Sequence, residues 1–185
     1  MRNPTKTVLD AATIREGLNG ATRKRVASLE VFSEIASTNS YLMEKPGPPP
    51  SDIYVAMTTN QTAGRGRRGR RWLSPSDSGL CLSMAYTFTR RGDRIAPLTL
   101  AIGLGAIQSL QDVGVQGVSV KWPNDLIAGD GKLGGILTEA RTHPDGSVTV
   151  VTGIGINLDL GEGPDLGDVA ATALPAMDLC RYAAS

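Results

Sequence analysis

The sequence contains a single histidine, His143, and only two cysteines, Cys81 and Cys180. Two isolated thiols cannot build a disulfide framework or a cysteine-type zinc site. One histidine with no second nearby removes the usual base of a Ser-His-Asp or Cys-His hydrolase and most histidine-based metal chemistry. It lies in Thr142-His143-Pro144-Asp145-Gly146, a run of turn formers, so a surface turn is its expected home. Aromatic residues make up 4% of the chain, too few to supply the stacking platforms of a single-strand nucleic-acid binder. Neither sign of charge dominates, with 19 Lys+Arg against 18 Asp+Glu, so the broad basic excess that neutralises many phosphates is missing. The apolar runs fall far short of the roughly 20 residues that a bilayer span requires. Met1 to Asp10 is polar and has no apolar h-region of a secretion signal. These absences predict a soluble cytoplasmic domain with no membrane contact and no resident metal. Any catalysis in such a chain rests mainly on binding and positioning.

What is present reads as one globular α+β domain. Residues 1–27 form an entry in which Asp10 caps a short helix from Ala11 to Leu18 and Gly20 stops it, too little for a DNA-binding winged helix. Ser28 to Ile35 and Ile53 to Thr59 have strand character, separated by the cap Ser37-Thr38-Asn39, a helix from Ser40 to Lys45, and the extended loop Pro46-Gly47-Pro48-Pro49-Pro50. Gly79 to Thr87 reads as a buried strand. Pro97 opens a core helix running to Val113, with Leu100, Leu104, Ile107 and Leu110 on one face. Val118 to Trp122 and Leu126 to Ala128 are strand pieces. Gly129-Asp130-Gly131 then turns into Lys132 to Arg141, and Pro144-Asp145-Gly146 into Ser147 to Leu158. Consecutive hairpins predict a mixed, largely antiparallel sheet over residues 28–160 with helices packed on one face, followed by a short tail at 161–185.

Three stretches carry chemistry. Gly64-Arg65-Gly66-Arg67-Arg68-Gly69-Arg70-Arg71 places five arginines in seven positions, with no acid between Thr59 and Ser76; without them the net charge of +1 would become 1 − 5 = −4. Glycines let this backbone approach a ligand closely, and guanidinium forks match phosphate and carboxylate geometry, so the loop reads as an anion site; a merely solvated basic loop or a nucleic-acid contact stays open. The chain uses 14 arginines but 5 lysines, and beyond residue 45 only Lys121 and Lys132 occur. Lys121 opens Lys-Trp-Pro-Asn-Asp and Lys132 opens Lys-Leu-Gly-Gly-Ile-Leu, so each is a candidate point-charge contact to a small ligand. Trp122-Pro123-Asn124-Asp125 is either a surface for a ring or a core-anchored corner. In Gly153-Ile154-Gly155-Ile156-Asn157-Leu158 the glycine alternation would let another backbone approach, and Asn157 is expected to bond backbone or a ligand ribose.

Taken together, Ser37-Thr38-Asn39, Gln61 with the Gly-Arg-Gly-Arg-Arg-Gly loop, Lys121 to Asp125, Lys132 to Leu137 and Gly153 to Leu158 resemble, in order and spacing, the catalytic domain of biotin protein ligases. The resemblance implies a sheet related to class II aminoacyl-tRNA synthetases and a two-step reaction. The carboxylate of biotin attacks the α-phosphate of ATP, which Mg²⁺ accompanies; a lysine of a biotin carboxyl carrier protein then attacks the biotinyl-adenylate. By motif position, Ser37, Thr38, Asn39 and Gln61 would contact biotin. Arg65, Gly66 and Arg67 would border biotin and the phosphate, and Lys132 with Gly134 and Gly135 would meet the carboxylate. Trp72, Asn124 and Asn157 would line the nucleotide side. Arg67, Lys132 and Lys121 are the expected catalytic groups, with Lys121 steadying the phosphates. The family usually continues past the sheet into further helix and a small β-barrel, for which residues 161–185 are too short, and no DNA partner is expected; a sheet edge would allow a homodimer. A lipoate or octanoate transferase on the same fold, or a non-catalytic biotin- or nucleic-acid-binding module, is the alternative.

Overall fold

The computed structural model describes residues 9–73, 75–89, 97–161 and 174–183, so parts of the expected entry and tail lie outside the described residues. Asp10 caps α1 (Ala11–Gly17) by accepting from the Thr13 amide at 2.7 Å. The expectation that Gly20 ends the entry's only helix is corrected: Asn19 caps a second one, α2 (Gly20–Arg25), by accepting from the Thr22 amide at 2.9 Å. An Asn followed by Gly can start a helix as readily as the Gly can stop one, because Asn is a strong N-cap and Gly is tolerated in the first turn.

The sheet has seven strands in the order β1-β2-β3-β7-β6-β5-β4. These are β1 (Val26–Phe32), β2 (Ile53–Thr58), β3 (Gly79–Phe88), β4 (Ser119–Lys121), β5 (Asp125–Ala128), β6 (Gly131–Thr142) and β7 (Val148–Asn157). Only β1 and β2 run parallel, joined through α3 (Thr38–Glu44); every other neighbouring pair is antiparallel. The sheet is mixed and largely antiparallel, as expected. Its faces follow from register, since residues directly opposite one another share a face. Cys81, Gly155 and Gly135 are in register, as are Ser83, Gly153 and Leu137; these form the functional face. Leu82, Ile154 and Ile136 lie on the reverse, where α4 (Leu98–Asp112) packs over Leu126, Leu133 and Ile136, and α1 contributes Ile14 toward Val55 and Met57. The short α3 lies on the functional face instead, burying Leu42 against Ala56, Ala85 and Val151.

The face expected for α4 is corrected. Leu100 and Leu104 are 44% and 58% exposed, while Ile102, Gly103, Ala106, Ile107 and Leu110 turn inward. With apolar residues on every side, periodicity cannot choose the buried stripe. Close approach decides it: a Cβ at Gly103 would sit 3.0 Å from Val120 and 3.3 Å from Ile136. No helix among the described residues is long and apolar enough to cross a membrane. His143 lies in the β6–β7 turn, 2.8 Å from the Thr149 hydroxyl through Nε2.

Candidate active site

On the functional face a cavity of about 340 Å³ opens between α3, the arginine loop and the middle of the sheet. Its first wall is set by short backbone pairings that tie 35–36 to 60–63: Ile35 donates to Asn60, and Thr62 and Ala63 donate to Ile35 and Ala36. These put Gln61 beside the start of α3, where its Oε1 accepts from the Thr38 amide at 2.8 Å and lies 3.2 Å from the Thr38 hydroxyl. Ser37 caps the helix, its hydroxyl 3.4 Å from the Ser40 amide. Ser83 Oγ lies 2.7 Å from both Thr38 Oγ1 and Asn39 Oδ1, while Asn39 Nδ2 donates to Leu137 O at 3.2 Å and Glu139 Oε2 at 3.0 Å. Ser37, Thr38, Asn39 and Ser83 are all buried. The result is a recess of polar groups held in place by one another, and such groups are expensive to desolvate unless partnered.

The arginine loop is a narrow excursion closed at its neck by Trp72 N donating to Gly64 O at 2.9 Å and Gly66 N to Arg70 O at 2.7 Å. Its tip takes left-handed backbone at Arg68 (φ 57°) and Gly69 (φ 73°), a conformation that glycine adopts without steric cost at the second of these positions. A side chain at Gly64 would collide with the Trp72 carbonyl across that neck. Arg65 reaches back from the loop to donate to Ser40 Oγ at 3.1 Å and to pair with Glu139. Arg67 donates to Asn124 Oδ1 at 2.8 Å, so its positive charge meets a neutral acceptor.

Beyond the loop, Trp72 lies directly on the sheet. A Cβ at Gly155 would be 2.5 Å from the indole Cε2 and one at Gly135 would be 3.3 Å from Cζ3, while one at Gly153 would strike Asn39 Oδ1. The glycine alternation of β7 is therefore occupied by two side chains, Trp72 and Asn39, rather than by another backbone. Lys132 arrives by a different device. The β5–β6 register shifts between Leu126 and Ile127, leaving Leu133 as the extra residue of a bulge. Leu133 turns into the core, and Lys132 and Gly135, three positions apart, both face the cavity. Lys132 Nζ is 2.8 Å from Asp125 Oδ1 and 5.8 Å from the centre of the Trp72 ring. Its backbone is clamped by the segment after the sheet: Lys132 N donates to Pro175 O at 2.7 Å and Met177 N to Lys132 O at 2.9 Å. Asn157 Nδ2 closes the clamp, 3.3 Å from Lys132 O and 2.9 Å from Met177 O.

Of the residues singled out from the sequence, Ser37, Thr38, Asn39, Gln61, Arg65, Gly66, Arg67, Trp72, Asn124, Lys132, Gly135 and Asn157 all border this one cavity. Two do not. Lys121 is exposed on β4, and Gly134 lies on the reverse face, where a Cβ would meet Gly155 O and Leu126. Sequence reasoning also passed over Ser83, Asp125 and Glu139, which reach the site only through strand register. Asp125 had a signal, since it ends the Lys-Trp-Pro-Asn-Asp motif; Ser83 and Glu139 had none beyond being polar in apolar strands. Trp122 stands at the rim, 81% exposed.

One pocket on the α+β sheet thus combines guanidinium groups, an amine, a partnered polar recess and an indole, an arrangement whose charge and geometry suit an organic anion. The chain belongs to the biotin/lipoate A/B protein ligase family, whose model matches residues 31–158. It is 41% identical over 132 residues to the bifunctional ligase/repressor BirA of Escherichia coli, covering 71% of this chain and 40% of that protein. It is 32% identical over 185 aligned positions to the biotin–[acetyl-CoA-carboxylase] ligase of Mycobacterium tuberculosis, covering 94% of this chain and 64% of that one. The chain thus spans about half the length of such relatives. Among solved structures, the biotin protein ligase of Aquifex aeolicus in complex with biotin and ATP superposes with a TM-score of 0.67 at 28% identity, over 86% of this chain and 62% of that one. The fold is the class II synthetase-like arrangement of biotin ligases.

Proposed function

We propose that this chain carries the catalytic domain of an ATP-dependent biotin protein ligase. It would form biotinyl-5′-AMP and transfer biotin to a lysine of a biotin carboxyl carrier protein. The observation that carries the reading is the convergence of Arg67 and Lys132 on one cavity with the Thr38–Asn39–Gln61 recess at one end and Trp72 at the other. In the first step a carboxylate oxygen of biotin bonds to the α-phosphorus of ATP and pyrophosphate leaves. In the second, the carrier lysine's amine, having lost its proton, bonds to the acyl carbon and AMP leaves. Both steps bring anionic or electron-rich groups together, so fixed cations and alignment supply the acceleration and no covalent enzyme intermediate is required.

In this reading Ser37, Thr38, Asn39 and Gln61 hold the biotin head group. Lys132, beside Gly135, meets its carboxylate, and Arg65, Gly66 and Arg67 close over the acyl phosphate. Trp72, Asn124 and Asn157 flank the nucleotide, and Lys121, outside the cavity wall, is left as a contact for outlying phosphates. Gly134 supports the site from behind by letting β6 lie close to β7. Mg²⁺ enters as part of the substrate MgATP.

The test is formation of biotinyl-adenylate from biotin and MgATP by the purified protein, with lipoate as competitor. Adenylate should form with biotin, and excess lipoate should compete weakly. Arg67→Ala should form the intermediate but release it to solvent, and Lys132→Ala should reduce its formation by at least about 100-fold, the scale of losing one preorganised charge contact in a transition state. Normal adenylate synthesis by the Lys132 variant would remove that residue from its role, and preference for lipoate would overturn the substrate.

A further inference from the structure

Glu139 contacts both the recess, through Asn39, and the arginine loop, through Arg65, and no part of the reaction sequence above uses it. It lies on β6, its side chain 20% exposed, behind the cavity lining. Oε2 accepts from Asn39 Nδ2 at 3.0 Å, and Oε1 pairs with Arg65, whose other terminal nitrogen donates to Ser40 Oγ at 3.1 Å. We propose that Glu139 is a positioning residue that sets the ligand specificity of the recess and latches the arginine loop over it.

Two consequences follow from donor and acceptor accounting. Asn39 Nδ2 has two hydrogens, and both are directed at acceptors, Leu137 O and Glu139 Oε2. A flipped amide would aim Oδ1 at those two oxygens, so the orientation is fixed. Oδ1, already near Ser83 Oγ, keeps one lone pair for the cavity. The recess then presents an acceptor, which favours a head group with an N–H donor, as in a cyclic urea, over a ring that has none. Glu139 acts on specificity through Asn39 and never needs to touch the ligand. The same carboxylate draws the Arg65 guanidinium against α3 and β6, anchoring the neck of the loop to the wall that reads the head group. One group therefore joins head-group recognition to the position of the loop.

The substrate part rests on the biotin ligase reading; the latch does not. The test uses Glu139→Gln and Glu139→Asp in the full chain, each first checked for a cooperative melt. A neutral Gln can accept from Asn39 or from Arg65 but gives up the charge-assisted pair, and Asp keeps the charge with one methylene less reach. Hydrogen exchange of the ligand-free protein should show the Gly66 and Trp72 amides at the loop neck exchanging about 10-fold faster in Glu139→Gln, with β7 amides unchanged. Biotin affinity should fall about 10- to 100-fold, the range for losing a hydrogen bond to a charged group. The preference for biotin over an analogue whose ring nitrogens carry methyl groups should shrink, and Glu139→Asp should recover part of each effect. A lower melting temperature with unaltered neck exchange and an unaltered affinity ratio would overturn the proposal, because a purely structural carboxylate predicts that pattern. If the unaltered protein fails to bind biotin, the substrate reading fails and the specificity role with it, and the exchange measurement alone decides the latch.

Discussion

Replacing Gly155 by alanine probes the contact on which the Trp72 end of the cavity is built. The added methyl would stand 2.5, 2.6 and 2.7 Å from the Trp72 indole atoms Cε2, Cζ2 and Nε1. Carbon atoms in contact rest at about 3.5–4.0 Å, so a rigid indole must retreat by about 1 Å along its whole edge. β7 is held on both sides by β3 and β6 and cannot yield. The ring can move only toward the cavity. Overpacking of this kind costs about 1–3 kcal/mol, and for a domain of this size each kcal/mol lowers the melting temperature by about 2–4 °C. The expected loss is therefore about 2–12 °C, accompanied by weaker ATP binding. In a Trp122→Phe background Trp72 is the sole tryptophan, and its emission should shift to the red as the ring leaves the sheet. Gly105→Ala is the control: a Cβ there meets nothing within 4 Å on an exposed helical position, so it should be neutral or stabilise by up to about 1 kcal/mol. An unchanged melting temperature together with unchanged Trp72 emission in Gly155→Ala would refute the placement of the indole.

Two further outcomes follow from the remaining structure. Leu133 is fully buried at the β-bulge, and Leu133→Ala should cost about 2–5 kcal/mol by chemical denaturation; a cost below about 1 kcal/mol would mean that the bulge does not turn this side chain inward. Partial burial raises the Glu30 carboxyl, but hydrogen bonds from Lys45, Tyr41 and Ser28 outweigh it and hold the group below its usual 4.5, while the Glu30 hydrogen bond holds Lys45 above 10.5. The stability from Glu30 is present above its ordinary range and is lost as pH falls through the lowered value. That from Lys45 is present below 10.5 and is lost as pH rises through the raised one. Both side chains are 34% exposed, so the pair should contribute only about 0.5–1 kcal/mol, and Glu30→Gln should flatten the acid limb of a stability–pH curve that is otherwise steeper below pH 5.

The strands were legible because their signals are local. Pro144-Asp145-Gly146 and Gly129-Asp130-Gly131 mark hairpins, and β3 alternates buried and half-buried residues along its whole length. Ser37 and Asp10 announce caps for the same reason. What escaped depends on partners distant in sequence. The inward face of α4 is chosen by Gly103 fitting between Val120 and Ile136, which an apolar periodicity cannot encode. The bulge at Leu133 reverses the alternation that would otherwise send Lys132 to the reverse face, and only pairing with β5 reveals it. Motif spacing brought most candidate residues to one cavity, yet it could not separate Lys132, inside the wall, from Lys121, two strands away and exposed. Glu139 reaches Asn39 across 100 positions, a contact that no window of sequence contains.

Arg65, Arg67 and Lys132, three of the cations lining the cavity, differ in what already holds them. Arg65 is held by Glu139 and stays with that partner, whereas Lys132 is paired with Asp125, so for Lys132 an incoming carboxylate replaces an existing carboxylate. Exchange of that kind gains little free energy from charge alone, because one ion pair is broken for each one made. Arg67 rests on the neutral oxygen of Asn124, and an anion that captures it forms a charge-assisted bond while releasing only a neutral one. Arg67 also sits at the turn of a loop fastened mainly at its neck, so it can follow a ligand that Lys132, clamped at both backbone groups by residues 175–177, must receive in place. A fixed amine with a ready counter-ion and a movable guanidinium without one are suited to different moments. In the proposed reaction the first would align the carboxylate before the chemical step, and the second would close on the phosphate charge that remains bound.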